Sequence, residues 1–216
     1  ELKQIILQDL YETMILKDVA KIFSIGDFRA LEEVCRYLAL NTAKSLSYES
    51  VSKALNITFG TLKKYVDALE KSYLLVRIPP YCTNRSKEIS KQPKVYFIDT
   101  GLRNVIARNF PLEIDGLLFE NYVLTELLKA GFTPKYWRTK THTEVDFVLE
   151  KGQELIPIEV KLRADSVGRG LHSFIDLYKP KRAYVVNYEG VREEKDVRGC
   201  RVMVVDMVSF LEGITG

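Results

Sequence analysis

Thr143-Glu144-Val145-Asp146-Phe147-Val148-Leu149-Glu150 and, after a short turn, Ile156-Pro157-Ile158-Glu159-Val160-Lys161 decide how the chain is read. Two apolar-rich segments separated by Lys151-Gly152-Gln153 predict a β-hairpin. Each segment carries acids where a strand buried on both faces would carry Val or Ile, and burying a carboxylate is costly unless it is paired or bound to a cation. The two-residue period of a strand puts Glu159 and Lys161 on one face, so a carboxylate and an ammonium share one space. A hard divalent ion held by Asp146 and Glu159 with Lys161 beside an activated water or phosphate is the chemistry this pattern suits.

Around this hairpin the second half of the chain alternates helix and strand. Helices are expected over 116–130, 166–178 and 207–212, and strands over 132–138, 144–150, 154–161, 182–187 and 201–205. The order α-β-β-β-α-β, with a terminal β-α, predicts an open mixed sheet covered by helices on both faces. The helix from Gly116 brings Glu120 beside Leu117, Phe119, Val123 and Leu124, over the sheet rather than in open solvent.

The first half reads as helices. Leu2, Ile5, Ile6, Leu10, Met14, Val19 and Ile22 recur at helical steps, and Phe28, Leu31, Cys35 and Leu38 repeat the pattern after Gly26-Asp27. Ser47–Leu55 and Thr58–Tyr73 are two helices joined by a tight turn, followed by the β-rich Leu74–Ile78, as in a winged helix-turn-helix. In that arrangement Thr58 caps the second helix, which presents Thr58, Gly60, Thr61, Lys63, Lys64 and Asp67 outward. Thr58, Thr61, Lys63 and Lys64 are then candidate DNA contacts, joined by Arg85 and Lys87 from a basic wing or linker. The motif serves equally to contact protein, with the lysines merely solvated. Asp99 or Thr100 in Asp99-Thr100-Gly101 caps a further helix. The expected organisation is a helical connector over 1–25, a winged helix over 26–110 and a second domain, built around the hairpin, over 111–216.

Composition constrains the class. Charged residues are 28% and hydrophobic residues 46% of 216, the balance of a soluble globular chain. No apolar run is of membrane-crossing length, so a cytoplasmic protein without a membrane partner is expected. Three separated cysteines indicate neither a disulfide framework nor a zinc site, and buried small apolar groups are expected. Residues 1–110 hold 17 Lys and Arg against 12 Asp and Glu, and 111–216 hold 15 against 17. The more basic half is the one expected to approach nucleic acid.

Glu120 on a helix, Asp146 on a strand and Glu159-Val160-Lys161 on the next strand resemble the PD-(D/E)xK nuclease superfamily, the restriction-endonuclease-like fold. That resemblance implies that Asp146 and Glu159 bind magnesium or manganese, that Lys161 positions or activates the attacking water, and that Glu120 completes the acidic cluster. The family's proline before the Asp is Val145 here. Arg163, Ser166, Arg169 and His172 stand where such folds often place substrate contacts. A wider resemblance, through Leu69–Leu75, Pro79-Pro80-Tyr81, Lys94–Leu102, Phe119-Glu120-Asn121 and Glu144–Val148, is to the C-terminal part of archaeal and bacterial AAA-type ATPases. It implies an N-terminal P-loop ATPase domain as partner in the same full-length protein, lost or cut away before Glu1. No G-x-x-x-x-G-K-[ST] occurs, so no ATP site is expected in this chain. The fold class expected overall is thus α/β, or α+β taken as a whole. Two functions follow: DNA-directed phosphodiester hydrolysis, or a non-catalytic DNA- or protein-binding arm with a degenerate nuclease fold.

Overall fold

Apolar side chains three and four apart turn Phe28–Leu40 into helix α3, whose Leu31, Val34, Cys35 and Leu38 are buried. Asp27 begins it by accepting the Ala30 N–H at 2.9 Å, satisfying one of the donors a helix start leaves open. Before it come α1 (Leu2–Asp9), a π-helical stretch Leu10–Lys17 and α2 (Asp18–Ile22). After it come α4 (Tyr48–Leu55) and α5 (Phe59–Lys71), capped by Ser47 and Thr58. Strands β1 (Leu75–Ile78) and β2 (Lys94–Phe97) form a two-stranded sheet, and α6 (Thr100–Ala107) is capped by Asp99 through the Leu102 N–H at 2.7 Å. The computed structural model describes residues 2–84, 88, 91–109, 113–141, 143–164 and 166–215, so Arg85 and Lys87 lie outside the described residues.

The chain divides into two compact units. The first comprises residues 1–77 and 92–114, and its core joins Tyr11, Leu16 and Val19 to Leu31, Leu62, Val66, Phe97 and Ile106. The helices before Gly26 therefore share one core with α3, α4 and α5. Each fully buried Leu or Val there contributes roughly 1.5–3 kcal/mol. Residues 43–46 pair with β2 through Ala43 N–H to Val95 O (2.8 Å), Val95 N–H to Lys44 O (3.2 Å) and the Ser45–Lys94 bridge. Behind α5, Arg77 binds Glu70 and Asp67 and donates to the Tyr48 hydroxyl at 2.8 Å. Burial opposes the charge of that guanidinium, but the hydrogen bonds to Glu70 and Tyr48 outweigh it and raise its pKa above the ordinary value.

The second unit comprises residues 78–91 and 115–216. Helix α7 (Gly116–Lys129) precedes β3 (Lys135–Arg138), β4 (Glu144–Lys151), β5 (Glu154–Lys161), α8 (Arg169–Tyr178), β6 (Arg182–Asn187), β7 (Glu193–Val197), β8 (Cys200–Val205) and α9 (Met207–Thr215). The sheet order is β3-β4-β5-β6-β8-β7, with β5-β6 and β6-β8 parallel and the other pairs antiparallel. Sheet and helices make the chain a mixed α/β protein. Leu171 and Ile175 of α8 pack on Ala183 and Val185, while Phe210 of α9 packs on Tyr184, so the two helices cover opposite faces of β6. Strand β7 is a departure from expectation. Glu193-Glu194-Lys195-Asp196-Val197 has no apolar period, and pairing with β8 at the sheet edge makes it a strand.

Residues 79–81 extend the other edge. Tyr81 N–H donates to Tyr136 O, Tyr136 N–H donates to Pro79 O at 3.1 Å, and Lys135 holds Glu88 at 3.0 Å. The Tyr81 ring meets Phe174 and Tyr178, with Trp137 edge-on to Phe174 at 5.3 Å. Cys35 and Cys200 are buried and free, and burial pushes their thiols up to about 12 and about 11, as inert apolar fillers. Among the described residues no helix is long and apolar enough to cross a membrane.

Asp206 starts α9. Its carboxylate accepts the Ser209 N–H and the Ser209 hydroxyl, each at 3.0 Å, and pairs with Arg192, which holds its pKa at about 2 against an ordinary 3.8. A depressed carboxylate stabilises the fold above its unfolded value and loses that contribution as pH falls through the folded one. The single tryptophan, Trp137, lies in this unit and reports its unfolding. Asp206→Asn is expected to lower the urea midpoint of Trp137 fluorescence at about pH 5, and the gap to the parent should close toward about pH 2. A gap independent of pH would mean that the charge of Asp206 contributes nothing.

Candidate active site

The β4–β5 ladder runs from Lys151–Glu154 to Phe147–Ile158, with Gly152 supplying a positive φ in the turn. Beyond Ile158 the pairing changes hands. The Val160 N–H is taken at 2.8 Å by Asp146 Oδ2, a side chain, while β5 continues beside β6 through Glu159–Val185 and Lys161–Asn187. On the other side of β4, Lys135 faces Val148 and Trp137 faces Val145, so three steps of β4 answer two of β3. Asp146 sits inside this irregularity. Such bulges bend a strand and re-aim the side chain they carry, which is how a half-buried carboxylate comes to point along β5.

Glu159 is held from the next helix. Its Oε2 accepts the Gly168 N–H at 2.9 Å, directly before α8, which has no capping side chain of its own. The carboxylate thus serves as the cap of a helix on another element, where the positive end of the helix dipole favours its charge. Lys161 Nζ lies 3.7 Å from Glu159 Oε1 and donates to the Ser166 carbonyl. Both side chains are mostly covered, Lys161 at 21% and Glu159 at 15% exposure, so their attraction is less screened than at an open surface.

Two glycines that the sequence reading passed over make this possible. A Cβ on Gly168 would lie 1.9 Å from Glu159 Oε1, and a Cβ on Gly170 would lie 1.7 Å from the Glu144 carbonyl oxygen. Gly168-Arg169-Gly170 therefore lets the start of α8 touch the backbone of β4 and the carboxylate of β5. The local signal was present as two glycines around an arginine, but only the approach of the strands gives it meaning.

The remaining predicted residues are distributed as follows. Glu120 is 8% exposed on α7, which packs against β5. Glu144, two residues before Asp146, pairs with Arg138. Among the described residues no three of His, Cys, Asp and Glu converge as a metal-holding group. In the first unit Thr58 Oγ1 accepts the Thr61 N–H at 3.1 Å and lies 2.9 Å from Thr61 Oγ1. Lys63 is exposed; Lys64 donates to the Ser24 carbonyl at 2.9 Å, and Asp67 turns to Arg77. Phe23, Gly60, Lys63, Lys64, Asp67 and Lys71 line a cleft along α5.

Residues 1–113, more than half of the chain, match a domain of unknown function, DUF8612. The chain belongs to the DUF8612 family. In this DUF8612 protein residues 115–207 match a second domain of unknown function, DUF4143, a span that contains Glu120, Asp146, Glu159 and Lys161. Similar chains occur in bacteria and archaea. An uncharacterized protein of Haemophilus influenzae is 26% identical over 74% of this chain, one of Mycobacterium tuberculosis 27% over 80%, and one of Methanocaldococcus jannaschii 30% over 83%. Their matched parts are 40%, 42% and 40% of their own lengths, so the chain spans about two fifths of the curated relatives it matches.

Proposed function

We propose that residues 115–207 are a PD-(D/E)xK, restriction-endonuclease-like domain that hydrolyses phosphodiester bonds of DNA with Mg or Mn, carried behind a winged helix in a larger AAA-type ATPase. The observation that carries this reading is the end of the β4–β5 ladder at Asp146 and Glu159. The strands part there, the Asp146 carboxylate replaces a backbone acceptor, and Glu159 and Lys161 follow on the parted strand. The element order α7-β3-β4-β5-α8-β6 supports it. For the winged helix the support is the order α3, paired segment 43–46, α4, α5, β1, β2.

The donor set suits a hard ion. Magnesium in phosphoryl-transfer sites is held by one or two carboxylates, with waters and substrate phosphate filling its octahedron, so Asp146 and Glu159 suffice without a third protein ligand. Glu120 enters as the third acid of the family pattern. Bound there, the ion would polarise the phosphoryl oxygen and lower the pKa of a water. The chain's own part is to orient two carboxylates through the Val160 and Gly168 N–H groups, and to supply the Lys161 ammonium against developing negative charge. In the first unit Lys63 and the threonines at the start of α5 are the phosphate contacts of this reading, with Lys64 available once released from Ser24.

A second reading is favoured by one observation: Glu159 already caps α8, and Lys161 already binds Ser166 and Glu159. On that reading the acids are a structural network in a non-catalytic binding arm. Calorimetric titration with Mn²⁺ separates the two. The parent is expected to bind, and Asp146→Ala to weaken binding by more than about tenfold, the loss seen even for residues that merely orient ligands. Equal, weak binding by both proteins would leave the nuclease reading without a basis.

A further inference from the structure

We infer that Phe119, Tyr122 and Tyr188 form a stacking platform for an unpaired base, so that the substrate class of the proposed nuclease site is single-stranded nucleic acid. This deepens the nuclease reading and rests on it. Phe119 is 5% exposed and forms a floor between two open rings: Tyr122, 40% exposed and near-parallel at 6.3 Å, and Tyr188, 56% exposed and edge-on at 5.5 Å. Aromatic rings left in water beside a buried one are surface that a base can cover, and such stacking tolerates any base because every base has a π-face.

The platform shares its backbone with the residues of the proposed chemistry. The Tyr188 N–H donates to the Lys161 carbonyl at 3.1 Å, and Phe119 directly precedes Glu120. Asn187, buried, fixes the turn that follows by bonding Val191 at both its N–H (2.9 Å) and carbonyl (2.8 Å) and the Val205 carbonyl at 3.0 Å. A cation stands alongside: Arg163, 82% exposed, is ion-paired at 3.7 Å with Glu189, the residue after Tyr188, a solvent-screened pair that a phosphate can displace. Rings flanked by a cation match a strand whose bases stack while its phosphates are neutralised. Bases inside a duplex have both faces covered by neighbours, so an intact duplex has nothing to offer the rings.

The test uses the whole chain in EDTA, so that binding is read without cleavage. Fluorescence anisotropy compares a labelled oligothymidylate of about 12 nucleotides, within the span of single-strand sites, with an abasic oligomer of equal length and a blunt duplex. The parent is expected to bind the thymidylate roughly tenfold more tightly than the abasic strand or the duplex. Tyr188→Ala should lose about that factor, and Tyr188→Phe, which keeps the ring, should retain it. The inference is overturned if abasic and thymidylate strands bind alike, if Tyr188→Ala binds like the parent, or if no strand binds, as for a protein-docking surface. Failure here with intact, Asp146-dependent Mn²⁺ binding removes only the platform. Ring-dependent strand binding without Mn²⁺ binding removes only the nuclease reading.

Discussion

Gly170→Ala is expected to destabilise the second unit by about 3 kcal/mol or more, read as a lower urea midpoint of Trp137 fluorescence. The new Cβ would stand 1.7 Å from the Glu144 carbonyl oxygen and 2.7 Å from its carbonyl carbon. Both are backbone atoms of a strand paired to β3 and β5, so neither can rotate away. Alanine favours a helix over glycine by up to about 1 kcal/mol, which offsets only part of the cost. Relief requires α8 to retreat from β4, loosening Phe174 from Trp137 and Val148. The Gly168 position differs in kind, because there the clash is with the Glu159 carboxylate, which can turn aside at the expense of its own placement. An unchanged or raised midpoint for Gly170→Ala would show that α8 does not approach β4 this closely.

On the nuclease reading proposed above, Lys161→Ala is expected to cut DNA about 10²–10³-fold more slowly than the parent while binding Mn²⁺ at least as well. The sign of the second effect follows from charge. An ammonium 3.7 Å from Glu159 opposes a cation at the same carboxylate, so its removal cannot weaken the ion through electrostatics. The size of the first follows from the loss of one cation facing negative charge that develops only in the transition state. The two effects together distinguish this from general unfolding, in which metal binding and cleavage would fall together. Cleavage at the parental rate would remove Lys161 from the chemistry and leave it as the partner of Ser166 and Glu159.

Much of the fold was legible because burial leaves a periodic trace. Leu62, Val66 and Leu69 stand at helical steps and are all buried in α5; Val145, Phe147 and Leu149 alternate and are buried in β4. Caps were legible as well, since Asp99 and Thr58 act on N–H groups three residues away. What escaped was made by contacts between distant segments. Strand β7 owes its conformation to β8, the π-helical stretch Leu10–Lys17 keeps the same apolar spacing as an α-helix, and Gly168 and Gly170 answer to residues far upstream, Glu159 on β5 and the Glu144 carbonyl on β4. At the site, the residue types were legible and their partners were not. Period two put Glu159 and Lys161 on one face, but nothing local told that Glu159 would cap α8, that Asp146 would bind the Val160 N–H, or that Lys64 would be tied to Ser24.

Ownership of residues 78–91 has a practical meaning for anyone dividing this chain. They lie within the DUF8612 match, yet they belong to the fold of the DUF4143 half, where Pro79 and Tyr81 pair with Tyr136. The polypeptide passes between its units at 77/78, 91/92 and 114/115, so a cut at the family boundary severs covalent linkage without separating the folds. A fragment beginning at Asp115 would leave the outer side of β3 with unsatisfied amides and carbonyls, an invitation to pair with another molecule. The first half carries, in effect, the selvedge of the second.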